Sequence, residues 1–326
     1  MIISPYGSEK FDKPGFETFF KAVNNVNRND NREESMLTLI DLDIESLGYE
    51  NFISAWLYHG QNNAFIVDPG PTATVDHLIG EIESRGISKI DWVLLTHIHM
   101  DHAGGIGHLL EHYKEARVVC HEKAAPHLVD PGDLLAGSKK VLKEVADAYG
   151  DIRPVPADRI LTGEYVDFED GITVIPSPGH APHHQCFVFR DVLFCGELFG
   201  VFQKLADTFY LRPATPPRFI FEEYRASMDR VGPYVDRALC FGHYGTYPHG
   251  AEIFDISGRQ LKLWVDVIRR HRASPDIDVI VEALAAADPV FSRITLLSER
   301  QYRRERYFIG NTIRGILEYV GREHAE

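Results

Sequence analysis

Residues 96–105 read "THIHMDHAGG", so three histidines and one aspartate (His97, His99, Asp101 and His102) fall within six positions. Imidazole and carboxylate are ordinary ligands of zinc, iron and manganese. Alternate residues of an extended strand point to one face, which lets His97 and His99 turn toward one ion. Asp101 and His102 follow a bend and face a second position, and Gly104 and Gly105 are expected to permit the tight backbone that follows. One ion takes three or four protein ligands, so four candidates on two faces imply two sites, each incomplete. The missing ligands are expected where an apolar run ends beside a glycine. Three places qualify: "SPGHAPHH" (177–184) with His180, "LFCGELFG" (193–200) with Glu197, and "CFGHYG" (240–245) with His243. A carboxylate between two histidines in sequence order is the expected form of a bridging ligand.

Strands and turns must position these side chains, and the sequence supplies them. "MLTLIDL" (36–42), "FISAWLYHG" (52–60) and "AFIVDPG" (64–70) have strand texture. "VDHLIGEIESRG" (75–86) has helical spacing and ends in glycine. "WVLLTHIH" (92–99) is expected to be a buried strand running straight into the histidines, followed by a helix over "GGIGHLLEHYKEA" and a strand at "RVVCH". Alternating strands and helices point to an α/β fold with sheet layers covered by helices. Strand–turn–strand material returns at 159–180, 184–197 and 238–245. After residue 250 the texture becomes helical, which divides the chain into a metal-binding body (1–250) and a helical segment (251–326). That segment is small for independent folding and is expected to dock on the body. The Asn-rich stretch 21–35 reads as an exposed loop.

Composition narrows the function classes. The chain has 326 residues, 44% of them hydrophobic, and a net charge of −14, a field that opposes phosphate backbones and argues against nucleic-acid binding. No window is apolar for long enough to span a bilayer, and the N-terminus shows no basic region followed by an apolar run. Cys120, Cys186, Cys195 and Cys240 form no C-x-x-C pair, which fits reduced thiols in a cytoplasm. Cys186, Cys195 and Cys240 lie in apolar runs and are expected to pack there.

The motifs "VDPG" (67–70), "THIHMDH" (96–102), "PGHAPHH" (178–184), "GE" (196–197) and "GHYG" (242–245) together resemble the metallo-β-lactamase superfamily in its glyoxalase II-like, binuclear branch. The resemblance spans roughly residues 36–250. It implies a four-layer αβ/βα sandwich and two divalent metal ions, zinc in the first place, with iron or manganese compatible. It implies His97, His99 and His180 around the first ion, and Asp101, His102 and His243 around the second. Glu197 stands where the family has a bridging Asp. Its carboxylate lies one methylene, roughly 1.5 Å, further out, which leaves open whether it bridges or binds one ion. His184 matches a supporting histidine and Asp68 a carboxylate behind the ligands. The remaining histidines, among them His108, His112, His127, His183 and His324, show no partnering pattern.

The resemblance implies hydrolysis by a metal-bound hydroxide of an ester-like carbonyl in a small molecule, a thioester or lactone, with Asp101 orienting the nucleophile. No G-x-S-x-G is present to offer a serine alternative. A diiron redox protein on the same fold is the second reading. A nuclease and a non-catalytic binding protein rank below it. The stretch 198–224 reads as a loop with a packed aromatic face or as a lid bringing Arg212 or Arg218 to a substrate carboxylate. Tyr210 and Tyr244 are candidate donors to an oxyanion. Residues 299–322 contain six arginines, readable as an anion site, a solvated face or a homodimer contact.

Overall fold

The chain folds as two sheet-and-helix halves laid face to face. The computed structural model describes residues 36–61, 63–168 and 171–322; the stretch 21–35 and His324 lie outside them. In the first half β1 (Met36–Ile44), β2 (Tyr49–His59) and β3 (Ala64–Val67) pair antiparallel in turn. Helix α1 (Val75–Ser84) crosses over to β4 (Trp92–Leu94), parallel to β3. Helices α2 (Met100–Ala103) and α3 (Ile106–His112) lead to β5 (Arg117–Val119). Helices α4 (Ala125–Val129), α5 (Gly132–Leu142) and α6 (Glu144–Tyr149) lead to β6 (Ile160–Leu161), which completes a six-stranded sheet in sequence order.

The second half opens with β7 (Tyr165–Val166), β8 (Ile172–Pro176), β9 (Gln185–Phe189) and β10 (Val192–Gly196), an antiparallel run. A separate hairpin follows, β11 (Val201–Lys204) with β12 (Phe209–Arg212). Helix α7 (Phe221–Val231) supplies the crossover that lets β13 (Ala238–Phe241) lie parallel to β10, and β14 (Gly245–Tyr247) forms the edge. Three helices end the described chain: α8 (Gly250–Arg270), α9 (Ile277–Ala287) and α10 (Glu299–Arg322).

Between the sheets lies an aromatic core drawn from both, including Trp56, Tyr58, Phe65, Phe187, Phe189 and Phe194. Phe65 meets Phe168 and Phe189 edge to face at 5.3 and 5.2 Å, the geometry aromatic quadrupoles prefer. Strands β2 and β3 are buried on both faces, which is why they read as continuous apolar runs. Helices α1–α6 cover the outer face of the first sheet and α7–α10 that of the second, giving four layers. Helix α8 buries Ile253, Leu261, Trp264 and Ile268 at helical spacing, and α8–α10 share one core with the second sheet.

Two expectations need correction. Strand β4 stops at Leu94 instead of running to His99. The Asp68 carboxylate accepts from the Thr96 N–H (2.8 Å) and the Gln185 N–H donates to the Thr96 carbonyl (2.8 Å), so this backbone is engaged outside the ladder. The stretch 198–224 is loop only in part: it holds the buried β11–β12 hairpin and the start of α7, and the loop 213–220 between them brings Arg218 to the cavity wall. Arg212 ends that hairpin, 4% exposed, with its Nε donating to Glu305 of α10 at 2.5 Å. Tyr210 also donates to Glu305 and Tyr244 to Asp41, so each phenol proposed for an oxyanion already has a partner.

Glu305 therefore gathers Tyr210 and Arg212, with Arg304 Nε 3.6 Å away. Burial would raise its carboxyl pKa, but Arg212 and Arg304 outweigh that and hold it below the usual range. Replacing Glu305→Ala leaves two buried guanidiniums without their carboxylate and is expected to cost about 3–5 kcal/mol. Thermal unfolding checks this, and an Arg212→Met/Glu305→Leu double variant should recover part of the loss. Because the folded-state value is depressed, Glu305's contribution is full above the ordinary carboxylate range and fades as pH falls through it. The stability gap between wild type and the double variant should therefore change across mildly acidic pH.

Candidate metal centre

Five chain segments deliver the site, each just after a strand. The turn after β3 carries Asp68, and the segment from β4 into α2 carries His97, His99, Asp101 and His102. His180 follows β8, Glu197 follows β10, and His243 follows β13. Glycines make the approach possible. Gly196 sits at φ +52, and a Cβ there would fall 2.5 Å from His184 Nε2. A Cβ on Gly242 would fall 2.7 Å from His102 Cε1. Gly104 and Gly105, expected to permit unusual backbone, have ordinary helical angles. What Gly105 supplies is space, since a Cβ would strike Val75 at 2.2 Å.

The imidazoles are fixed from behind. His102 Nδ1 donates to Asp68 Oδ2 (3.0 Å), and His243 Nδ1 to the Phe52 carbonyl (2.7 Å). His180 Nδ1 donates to the Ala214 carbonyl (3.0 Å). Thr96 Oγ1 donates to Asp68 (2.6 Å), so it accepts from His97 Nδ1 (3.0 Å). With Nδ1 the hydrogen-bonding atom in each, all four rings turn Nε2 toward one small volume. There His102 Nε2 lies 3.2 Å from His243 Nε2, and His180 Nε2 lies 3.0 Å from His99 Nδ1. Nitrogens facing one another at such distances need a proton or a cation between them. His97 Nε2 is wholly buried and makes no well-formed hydrogen bond, the Glu197 carboxylate standing 3.4 Å away, a cost of up to about 1–3 kcal/mol that a metal would relieve.

The donors sort into two groups. The ligand atoms of His97, His99, His180 and Glu197 lie within 4.8 Å of one another, as do those of Asp101, His102 and His243. Asp68 also groups with His97 and His102, but its oxygens accept from Thr96 and His102. Glu197 reaches both sets: Oε2 is 2.9 Å from His180 and 3.5 Å from His102, and Oε1 is 3.9 Å from His243. Its longer side chain thus stands between the two groups. His184 lies behind them, accepting from Glu197 N–H at Nε2 (3.2 Å) and bonded through Nδ1 to Ser177 (2.9 Å).

Burial, then the neighbouring imidazoles, pushes His97 well below its usual pKa and His99 down to about 4. Burial would lower His102 too, but Asp101, Asp68 and Glu197 overcome it and raise it. Glu197 and Asp101, despite burial, are held down by the surrounding histidines, Asp101 at about 2. The centre therefore offers ionised carboxylates and several neutral imidazoles, the forms that bind cations. His99, Asp101, His180, Glu197 and His243 floor a cavity of about 710 Å³, walled by α5, α10 and the loop 214–220.

The family description "Metallo-beta-lactamase superfamily" matches residues 48–243. The chain belongs to the metallo-β-lactamase superfamily. Among curated members of the superfamily it is 29% identical over 167 residues to the metallo-beta-lactamase fold-containing protein ST1585 of Sulfurisphaera tokodaii, covering 49% of this chain and 62% of that protein. It is 29% identical over 157 residues to the hydroxyacylglutathione hydrolase of Salmonella paratyphi A, covering 45% and 47%. The chain thus matches about half to three-fifths of these relatives' lengths. In three dimensions it resembles the metallo-beta-lactamase family protein TTHA1429 of Thermus thermophilus, with a TM-score of 0.60 over 89% of this chain and 94% of that one. At 19% identity that likeness concerns the superfamily fold alone.

All seven residues singled out as ligands come together, with Asp68 and His184 behind them. The sequence reading passed over Thr96, whose position before the first histidine is its one signal. It gave no sign of the Phe52 and Ala214 carbonyls, because any residue type carries that acceptor. His183 and His127, set aside in the sequence, line the cavity. Replacing Asp68→Asn removes the anion that orients His102 and should weaken cation binding about 10–100-fold, measured by competition with a chromophoric chelator.

Proposed function

We propose that the protein is a binuclear metal-dependent hydrolase acting on an ester-like carbonyl, a thioester or lactone, of a small molecule. The seven-donor cluster, five of whose residues floor the cavity, carries this reading. His97, His99 and His180 would hold one cation, Asp101, His102 and His243 the other, with Glu197 between them. Divalent cations, zinc foremost by its ligand preferences, would lower the pKa of water and polarise a carbonyl oxygen. Iron and manganese suit the same donors.

The chain's own groups have defined tasks. The Nδ1 hydrogen bonds of His97, His102, His180 and His243 keep the Nε2 lone pairs aimed without reorganisation. Asp101, ionised and lining the cavity, can accept a hydrogen bond from an attacking water and orient it. Behind the cluster the aromatic core keeps bulk water from the rear of the site. The cavity falls within the usual 300–1,000 Å³ of small-molecule sites, and the net charge of −14 opposes a polyanionic substrate. The relative named hydroxyacylglutathione hydrolase points toward the same class of bond.

Elemental analysis and a visible spectrum of protein purified without added metal test the cation assignment. Two colourless equivalents of zinc are expected, whereas two irons with a visible band would favour the diiron reading. On the metal-loaded protein, thioester and lactone turnover should fall at least about 100-fold in His97→Ala, since a ligand matters more than its supporting groups. Bound metal per chain should fall in parallel. Full metal retention in that variant would count against the ligand assignment.

A further inference from the structure

Helix α5 packs only shallowly. It is eleven residues long and none of its residues is fully buried, Leu134, Leu135 and Leu142 being half-buried against the core of the first half. Leu134, Gly137, Ser138, Val141 and Leu142 recur at helical spacing and face the cavity over the donor cluster. Val141 is 53% exposed. Phe308 of α10 and Ile220 of the loop before α7, the latter 42% exposed, line the same cavity, and α10 meets α5 where Tyr307 donates to the Leu142 carbonyl (3.0 Å). Soluble proteins seldom leave a contiguous apolar surface open unless something occupies it. The same cavity ends at His99, Asp101 and Glu197, so an occupant of the slot reaches the donors.

Gly137 makes the case more specific. Glycine in a helix interior weakens the helix relative to alanine, so it needs a reason. Packing is not that reason, because a Cβ on Gly137 would meet no atom within 4 Å. Its backbone is helical, so no unusual φ demands it either. Because Gly137 lines the cavity, a larger side chain at this point would narrow it.

We propose that the slot between α5 and the Phe308–Ile220 wall binds an unbranched apolar acyl chain whose carbonyl reaches the donor cluster, and that Gly137 sets how much chain fits. As an acyl-chain site for hydrolysis this rests on the function proposed above, but as a binding site it stands on the slot itself. This apolar side of the cavity recognises by area, so affinity rises with methylene count, while Arg218, Glu223 and Asn311 line another part of the cavity.

The test uses metal-loaded full-length protein and p-nitrophenyl esters from acetyl to octanoyl, with calorimetric binding of acetate and octanoate beside it. The specificity constant kcat/KM is expected to rise about fourfold per added methylene until the slot is full. In Gly137→Phe the octanoyl-to-acetyl ratio should fall at least tenfold, and octanoate binding should weaken. Val141→Asp, at a site exposed enough to tolerate charge, should act in the same direction, and melting curves confirm that both variants fold. Ester turnover that ignores chain length and both substitutions would overturn the acyl-chain site while leaving the hydrolase reading intact. Octanoate binding that Gly137→Phe abolishes, with no ester turned over, would support the chain site and remove the hydrolase reading. Neither turnover nor chain-dependent binding would overturn both.

Discussion

The centre depends on one repeated interaction, an imidazole Nδ1–H held by an acceptor from a different part of the chain. Asp68, Thr96, the Ala214 carbonyl and the Phe52 carbonyl each fix one ring. A histidine free to rotate would lose conformational entropy on binding a cation. A tethered one has lost it on folding and presents a single nitrogen. The acceptors are themselves fixed. Asp68 takes two hydrogen bonds from Thr96, and the Phe52 carbonyl belongs to a strand paired on both sides.

This arrangement requires the two sheets to meet without slippage, and direct bonds join them beside the site. Trp56 Nε1 donates to the Phe241 carbonyl (2.9 Å), and Ser54 N–H to the Gly242 carbonyl (2.9 Å). Both acceptors lie within two residues of His243. The edge-to-face aromatic core behind these bonds resists shear, since displacement would cost many contacts at once. Strand ends on both sheets thus become fixed points from which short loops can aim side chains.

Much of this was legible in the sequence because metal chemistry is local in residue type. The spacing from His97 to His102 needs no partner to be recognised, and His180, Glu197 and His243 announce themselves by adjacent glycines after apolar runs. Alternating strand and helix texture carried the layered fold. Whatever depends on distance along the chain stayed hidden. Strand β4 ends early because of Asp68, 28 residues from Thr96, and Arg212 is neutralised by Glu305, 93 residues away. Nor does a hydropathy pattern separate a loop from a buried hairpin when both are rich in aromatics and proline, so the packed aromatic face of 198–224 was legible but its β11–β12 hairpin was not.

Helix α10 belongs to the core of the second half, yet Arg304 bonds to the Glu50 and Asn51 carbonyls of β2 and lies over the Phe52 ring. Phe308 packs against the core of the first half. The helix is therefore a brace across the two halves, attached at the strand whose Phe52 carbonyl orients His243. On the ribosome it is made after every donor residue. A nascent chain makes both sheets early, but the brace on the strand that orients His243 is made only with α10. The brace and the cavity's second wall thus arrive together, after every donor residue.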